Sequence, residues 1–419
     1  MRELFSQHPH WSEVSKVIDL LHKNNFLAYI AGGAVRDALL GVTAHDFDVA
    51  TNALPEDLEK LFPNALDIGK QFGIMMLPFE NDDGSKGQIE VATFRSDGVY
   101  IDGRRPENIE FSTPEGDAER RDFTVNALFY DTDKDQVIDF VDGVVDIKKR
   151  IIRAVGNPHK RFTEDKLRLL RAVRFAAQLQ FDIETKTRLA VKDLSSELKV
   201  VSKERITAEL ERLIGTRGLV TGFSDLLSTG LFKAIFSKIK FAQDENCWEL
   251  FLKALGLLTG VGSLDLVLST MVVLEQHTTK KPAVLNDIFE SLILSRASRN
   301  RIEHLISAIA HFVEDREDAL ILLNAEDGPL ISEFGFILTS LALFPKDLMA
   351  ETLTRFLRLA DSSGRLPQPF VTGQDLKNLS GVIAGPAFGK ALRQTFKKQL
   401  RGELKDKKEA LAYAQKLIT

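Results

Sequence analysis

Apolar residues at Val14, Val17, Ile18 and Leu21 recur at helical spacing, which predicts an amphipathic helix over 12–24. "FLAYIAGG" (26–33) then reads as a short strand running into two glycines. "AVRDALLG" (34–41) restarts a helix that Gly41 ends. "HDFDVAT" (45–51) alternates, which predicts a strand with Asp46 and Asp48 on one face and Phe47 and Val49 on the other. Further strands follow in "ALDIGKQFGIMMLPF" (65–79) and "QIEVATFR" (88–95), separated by the polar turn "ENDDGSKG". "DFTVNALFYD" (122–131) and "QVIDFVDG" (136–143) complete a mixed α/β region.

From Lys148 onward the pattern is almost wholly helical, as in "EDKLRLLRAVRFAAQLQF" (164–181), "KERITAELERLI" (203–214) and "RIEHLISAIAHFVED" (301–315). "SSGRLPQPF" (362–370) has the composition of a linker. The expected fold class is therefore α+β. A head with a mixed β-sheet spans 1–150, followed by a helical neck (151–220), a helical body (221–365) and a basic helical tail (366–419). A chain of 419 residues is too long for one ordinary core.

Composition narrows the class. A hydrophobic share of 44% and a charged share of 27% are ordinary for a globular protein. A single cysteine, Cys247, excludes an internal disulfide and points to a reducing, cytoplasmic setting. The first 25 residues lack the apolar core of a signal peptide, and Ala254–Leu274 is interrupted by Asp265 and glycines, so no membrane span is expected. A net charge of −5 excludes a protein that coats nucleic acid over its whole surface. Two local stretches run against it. Between 148 and 174 there are ten Lys/Arg and two acids, and between 390 and 416 nine Lys/Arg and three acids. Such stretches in a net-acidic chain point to local phosphate binding.

The D-x-D of Asp46 and Asp48 suits a hard divalent cation such as Mg²⁺. The glycine turn at Gly32–Gly33 offers backbone N–H groups to phosphates, and Arg36 adds a charged contact one turn on. Together they describe a two-metal phosphoryl-transfer site, in which metals hold both the attacking and the leaving oxygen. Glu90 is either a third carboxylate reaching across from a neighbouring strand or an exposed strand residue.

"GGAVRD…HDFDVAT", "RRDFTVNALFYD" (120–131), "RFTEDKLRLLRAVRFAAQLQF" (161–181) and "KERITAELERLI" occur in that order. This set resembles the class II nucleotidyltransferases, which comprise CCA-adding tRNA nucleotidyltransferases and bacterial poly(A) polymerases. The resemblance is specific over the first half of the chain; the tail "VTGQDLKNLSGVIAGPAFGKAL" is similar more loosely. It implies that Asp46 and Asp48 are catalytic metal ligands and that Gly33 and Arg36 contact the triphosphate. It implies that Arg121, supported by Asp122 and Asn126, lies near sugar and phosphates. Asp165 and Arg168 match the pair that reads the incoming base, and Arg171 and Arg174 two further arginines of that helix. Three residues apart on one helix, Asp165 and Arg168 are expected to share a face. A carboxylate accepts the amine of cytosine or adenine while a guanidinium donates to the ring acceptor beside it.

The resemblance further implies addition of C, C and A to the tRNA 3′ end from CTP and ATP. "FRSDGVYIDGRRPENIEF" (94–111) is similar to the flexible loop of CCA-adding enzymes, which enzymes adding only CC lack. Addition of A alone and poly(A) synthesis remain alternatives, and a non-catalytic RNA-binding scaffold a more distant one. His277, His304 and His311 are scattered and form no phosphohydrolase signature.

Overall fold

The computed structural model describes residues 1–80, 84, 86–97, 109–260, 262–279, 284–311, 336–337, 354, 358–359, 366–378 and 386–418. These fall into two compact units, Met1–Glu209 with Thr216–Ile235, and Leu210–Gly215 with Phe236–Thr419. Most of the loop expected at 94–111 and much of the body lie outside the described residues.

The first unit opens with helices α1 (Arg2–Ser6) and α2 (Trp11–Lys23), the latter burying the Val14, Val17, Ile18 and Leu21 stripe. Strand β1 (Ala28–Ala31) leads into α3 (Gly33–Leu39), then β2 (Asp48–Thr51), α4 (Pro55–Leu61), β3 (Leu66–Gly69), β4 (Ile74–Glu80) and β5 (Lys86–Thr93). The short strands β6 (Arg95–Asp97) and β7 (Ile109–Phe111), helix α5 (Pro114–Glu119), β8 (Leu128–Asp131), β9 (Gln136–Asp139) and α6 (Gly143–Lys149) follow. Seven strands form one sheet in the order β3-β4-β5-β2-β1-β8-β9. Its neighbours are antiparallel except β2 and β5, which run parallel with Asp48 opposite Glu90. The central strands β1 and β8 are buried along their whole length. Tyr29, Phe94 and Phe129 pack together on the sheet, with Phe94 and Phe129 edge to face. Burying each such ring is worth about 1.5–3 kcal/mol.

The turn between β1 and α3 explains the paired glycines. Gly32 sits at φ +69°, and a β-carbon there would stand 2.9 Å from Nη1 of Arg121. Gly41, at φ +72°, closes α3 as a left-handed cap, with the Val42 and Gly41 amides donating to the carbonyls of Asp37 and Ala38.

Two sequence expectations change here. The strand expected over 45–51 begins only at Asp48, so Asp46 lies in the segment before it. The buried Phe47 ring is anchored against Phe5, edge to face, and Trp11, while the Asp46 side chain is left 83% exposed. The helix expected to run on from Glu164 is broken at Asp165: α7 (Pro158–Glu164) ends there and α8 (Leu167–Leu179) begins beyond it. Asp165 is extended, and its carboxylate accepts from the Leu167 amide two residues on, the Asx arrangement that competes with helix. The neck also carries a parallel pair of two-residue strands, β10 (Ile151–Ile152) and β11 (Asp182–Ile183). Helices α9 (Thr185–Leu194), α10 (Lys203–Ile214), α11 (Leu219–Ser228) and α12 (Leu231–Ile235) follow.

In the second unit, α13 (Glu245–Leu258) is capped by Asp244, and α14 (Leu264–Thr279) is buried over most of its length. Glu275 on α14 is buried and accepts from the backbone amides of Lys240 and Phe241 at 2.7 and 2.6 Å. Helices α15 (Val284–Ser291) and α16 (Arg296–His311) follow. The tail holds α17 (Gly373–Lys377), α18 (Pro386–Leu400) and α19 (Lys407–Ile418) around Val371, Leu376, Phe388, Ala410 and Ala414. Of the expected linker, residues 362–365 lie outside the described residues, and 366–369 form neither helix nor strand. Among the described residues no helix is long and apolar enough to cross a membrane.

Candidate active site

A cleft of 570 Å³ opens in the first unit between the sheet and α8. It is lined by seven arginines against four carboxylates, a charge balance suited to a polyanion. Gly33, Arg36, Asp48, Glu90, Arg121, Asp122, Asn126, Asp165, Arg168 and Arg171 all line it, although they come from five separate segments of chain. Asp46 and Arg174 do not.

Aligned residues on parallel strands point to the same side, so the register of β2 and β5 sets Asp48 and Glu90 beside each other. Asp48 keeps contact with solvent at the mouth of the cleft, while protein crowds its other sides. That desolvation pushes its carboxyl up; Arg121 pulls it down, and Asp46 pushes it up again. Glu90 is pushed up by desolvation first and by Asp48 second. Asp46 is within reach of His45, with Oδ2 2.8 Å from Nδ1. Among the described residues no three His, Cys, Asp or Glu side chains converge as a finished metal site. The donor set nevertheless fits a hard divalent cation: it offers oxygens alone, and two crowded carboxylates repel each other where a cation would relieve them.

The arginines are held by buried acids, most of which the sequence reading did not single out. Asp117, within α5, is 1% exposed and grips two neighbours at once. Its Oδ1 accepts from Arg120 Nε at 2.8 Å, and its Oδ2 from Arg121 Nε and Nη2 at 3.1 and 3.0 Å. Burial opposes the charge of Asp117, but Arg121 and Arg120 outweigh it and hold its carboxyl below the usual range. Arg121 Nη1 donates to the Asn126 carbonyl at 3.1 Å, and its guanidinium lies over Phe129. Asp122 takes Arg171 through Nε at 2.8 Å and Nη2 at 2.6 Å; against desolvation, that charge again holds its carboxyl low. Arg36 is buried, donates to Asn126 Oδ1 at 2.5 Å and pairs with Asp37.

Helical periodicity places Arg168 and Arg171 in the cleft but turns Arg174 inward. Arg174 donates to Glu209 Oε2 at 2.7 Å and to Gln178, with its guanidinium 3.7 Å from the centre of the Phe175 ring. One further turn of α8 faces α10, so Arg174, which the resemblance grouped with Arg171, is held by a neighbouring helix and does not line the cleft. Nor do Asp165 and Arg168 share a helical face. Arg168 donates to Glu164 Oε2 at 2.8 Å, whereas Asp165 is held by Arg205 of α10. In the tail, Glu403 pairs with Lys398 and, at 3.8 Å, with Arg401, so part of the basic surface is answered within the chain.

A mixed sheet sets carboxylates at one end of an arginine-lined cleft, with a glycine turn beside them, an arrangement suited to nucleotidyl transfer. The poly A polymerase head domain family matches residues 28–153, and the family described as probable RNA and SrmB-binding site of polymerase A matches 180–242. A CCA-adding enzyme of Ligilactobacillus salivarius is 40% identical over 250 residues, which are 56% of this chain and 60% of its own length, less than two thirds of that relative. One of Lactococcus lactis subsp. lactis is 30% identical over 416 residues, 95% of each chain. The crystal structure of the Bacillus stearothermophilus CCA-adding enzyme in complex with CTP aligns with a TM-score of 0.75 at 26% identity, covering 98% of both chains. The chain belongs to the CCA-adding enzyme family. Members of that family are metal-dependent.

Proposed function

We propose that this protein adds C, C and A to the 3′ end of tRNA from CTP and ATP, without a nucleic-acid template, in the cytoplasm. The observation that carries the proposal is one cleft holding both the Asp48–Glu90 pair and the Asp165–Arg168 pair. A nucleotide whose base meets the second pair would place its phosphates toward the first.

In this reading Arg121 and Arg171, with Gly33 and Arg36 at the glycine turn, bind and orient the triphosphate. Asp117 and Asp122 keep the two arginines aimed, and Glu209 ties Arg174 to the same network. Asp46 and Asp48 are the ligands of Mg²⁺, with Glu90 as a third carboxylate beside them. When bound, the ion supplies charge stabilisation at the α-phosphate, where the RNA 3′-hydroxyl attacks and pyrophosphate leaves. Asp165 accepts the amine of cytosine or adenine and Arg168 donates to the ring nitrogen beside it. Uracil would set O4, and guanine O6, against the carboxylate, at a cost of about 1–3 kcal/mol per mismatched contact. Arg168 meets the base from its anchor on Glu164.

The test is incorporation into a tRNA transcript lacking its 3′ end, with labelled CTP and ATP, alone and together, in Mg²⁺. Addition of two C and then one A supports the proposal. Addition of A alone, or of a long A tract, replaces it with A addition or poly(A) synthesis. No incorporation under any condition returns the chain to a binding scaffold.

A further inference from the structure

Asp165 stands in the gap between α7 and α8 with both carboxylate oxygens engaged. Oδ1 accepts from Arg205 Nη1 at 3.2 Å and from the Leu167 amide at 3.0 Å, and Oδ2 accepts from Arg205 Nη2 at 2.8 Å. Arg205 is the third residue of α10, forty positions further along the chain, and it lines the same cleft. A planar guanidinium making two bonds to a carboxylate fixes the plane of that carboxylate as well as its position. The Leu167 bond fixes the rotation that remains. Of the roughly four acceptor directions a carboxylate offers, three are then committed.

The competing arrangement is close at hand. Arg168 is only three residues from Asp165, and an ion pair between them would let the amine acceptor and the ring donor satisfy each other. The structure separates them instead. The helix break turns the adjacent carboxylates of Glu164 and Asp165 apart: Glu164 takes Arg168, together with Arg161, each at 2.8 Å, and Asp165 takes Arg205. Neither ion pair is fully exposed: the Asp165 and Arg205 side chains are 15% and 22% accessible, and those of Glu164 and Arg168 16% and 11%.

We infer that Arg205 is a specificity-determining positioning residue: its two-bond ion pair aims the Asp165 carboxylate and keeps it from Arg168, so that acceptor and donor reach the incoming base separately. The inference rests on the base-reading role proposed above for Asp165. It makes a distinction that simple packing would not. A prop for the fold would affect all nucleotides alike, whereas an aiming device changes the ratio between them. Because the plane of the contact matters, Lys at 205 retains the charge and not the function.

The experiment is single-nucleotide incorporation by wild type, Arg205→Lys, Arg205→Ala and Asp165→Asn, with CTP, ATP and UTP on the same tRNA transcripts. Urea unfolding of each variant is measured in parallel. Both Arg205 variants are expected to lower the preference for CTP over UTP, and for ATP over UTP, by about tenfold or more, the scale of one bidentate contact. Adding Arg205→Lys to Asp165→Asn is expected to change the preference little further, because both act through one carboxylate. If Arg205→Ala does not fold, the Lys variant carries the comparison. Equal loss of rate for all three nucleotides, with the preference kept, overturns the inference. If Asp165→Asn relaxes selectivity and neither Arg205 variant does, Arg205 is not the aiming residue while the base-reading role stands. If Asp165→Asn itself leaves selectivity intact, the base-reading role falls and this inference with it.

Discussion

Gly32→Ala tests the junction of backbone and charge in the cleft. Gly32 holds φ +69° and ψ −122°, a conformation that costs an L-residue about 1–3 kcal/mol. The added β-carbon would also stand 2.9 Å from Arg121 Nη1, inside normal contact, so the guanidinium must give way. Its bond to the Asn126 carbonyl, now 3.1 Å, is the first casualty, at about 1.5–3 kcal/mol for a charged donor. The expected loss of stability is therefore about 2.5–6 kcal/mol if both terms are felt in full. Displacing an arginine by about 1 Å from a phosphate-transfer site is expected to lower turnover by about 10²-fold. Gly41→Ala is the control: φ is +72°, yet nothing lies within 4 Å of its β-carbon, so it carries backbone strain alone. The assay pairs urea unfolding with single-turnover A addition for Gly32→Ala, Gly41→Ala, Arg121→Ala and the double variant Gly32→Ala/Arg121→Ala. In the Arg121→Ala background the glycine substitution should cost only its backbone strain. If Gly32→Ala turns over as fast as Gly41→Ala, the argument that this glycine exists to admit Arg121 is refuted.

Three further outcomes follow from the same geometry. Asp48→Ala should abolish addition of both C and A while leaving the urea midpoint near that of wild type, and near-normal turnover would remove Asp48 from the chemistry. Neutralising Lys397, Lys398 and Arg401 together should flatten the salt dependence of tRNA binding; the effect is expected to be smaller than three full charges because Glu403 already pairs with two of them, and an unchanged slope would make the tail a solvated face. Asp117 and Asp122 have carboxyls held below their unfolded range, so each adds stability that is complete above that range and is lost as pH falls through the folded value. Between about pH 6 and about pH 3 wild type should thus lose more stability than Asp122→Asn, and an equal loss in both would contradict the assigned ion pair.

Much of the cleft was legible along the chain because its parts are local. A glycine turn before a helix, two aspartates one residue apart and a charged cluster opening a helix each declare themselves within a few residues. What stayed hidden depends on partners far apart in sequence. Arg205 meets Asp165 across forty positions, and Asp117 belongs to a segment with no signal beyond an acid near two arginines. Periodicity alone also carried the helix straight through Asp165, since a side chain that bonds to the amide two residues on leaves the apolar spacing unchanged. The same rule placed Arg174 on a run of arginines without indicating that a buried glutamate on another helix awaits it. Glu90 remained undecided until the parallel register of β2 and β5 set it beside Asp48.

That single parallel join has a consequence for the birth of the protein on the ribosome. An antiparallel neighbour can be reached by a tight turn, whereas β2 finds β5 only after β3 and β4 have been made and folded back. Strand β8, which flanks β1 on its other side, pairs Phe129 with Ala31 nearly a hundred residues upstream. Contacts of such separation form late, since chain closure must precede any return from pairing. A nascent chain that has emerged only as far as Glu119 therefore has its glycine turn and its aspartates but neither Arg121 nor the strand that closes the sheet over β1. Truncation anywhere before Asp131 is therefore expected to yield no partial catalyst, and nucleotide incorporation by such a fragment would refute this.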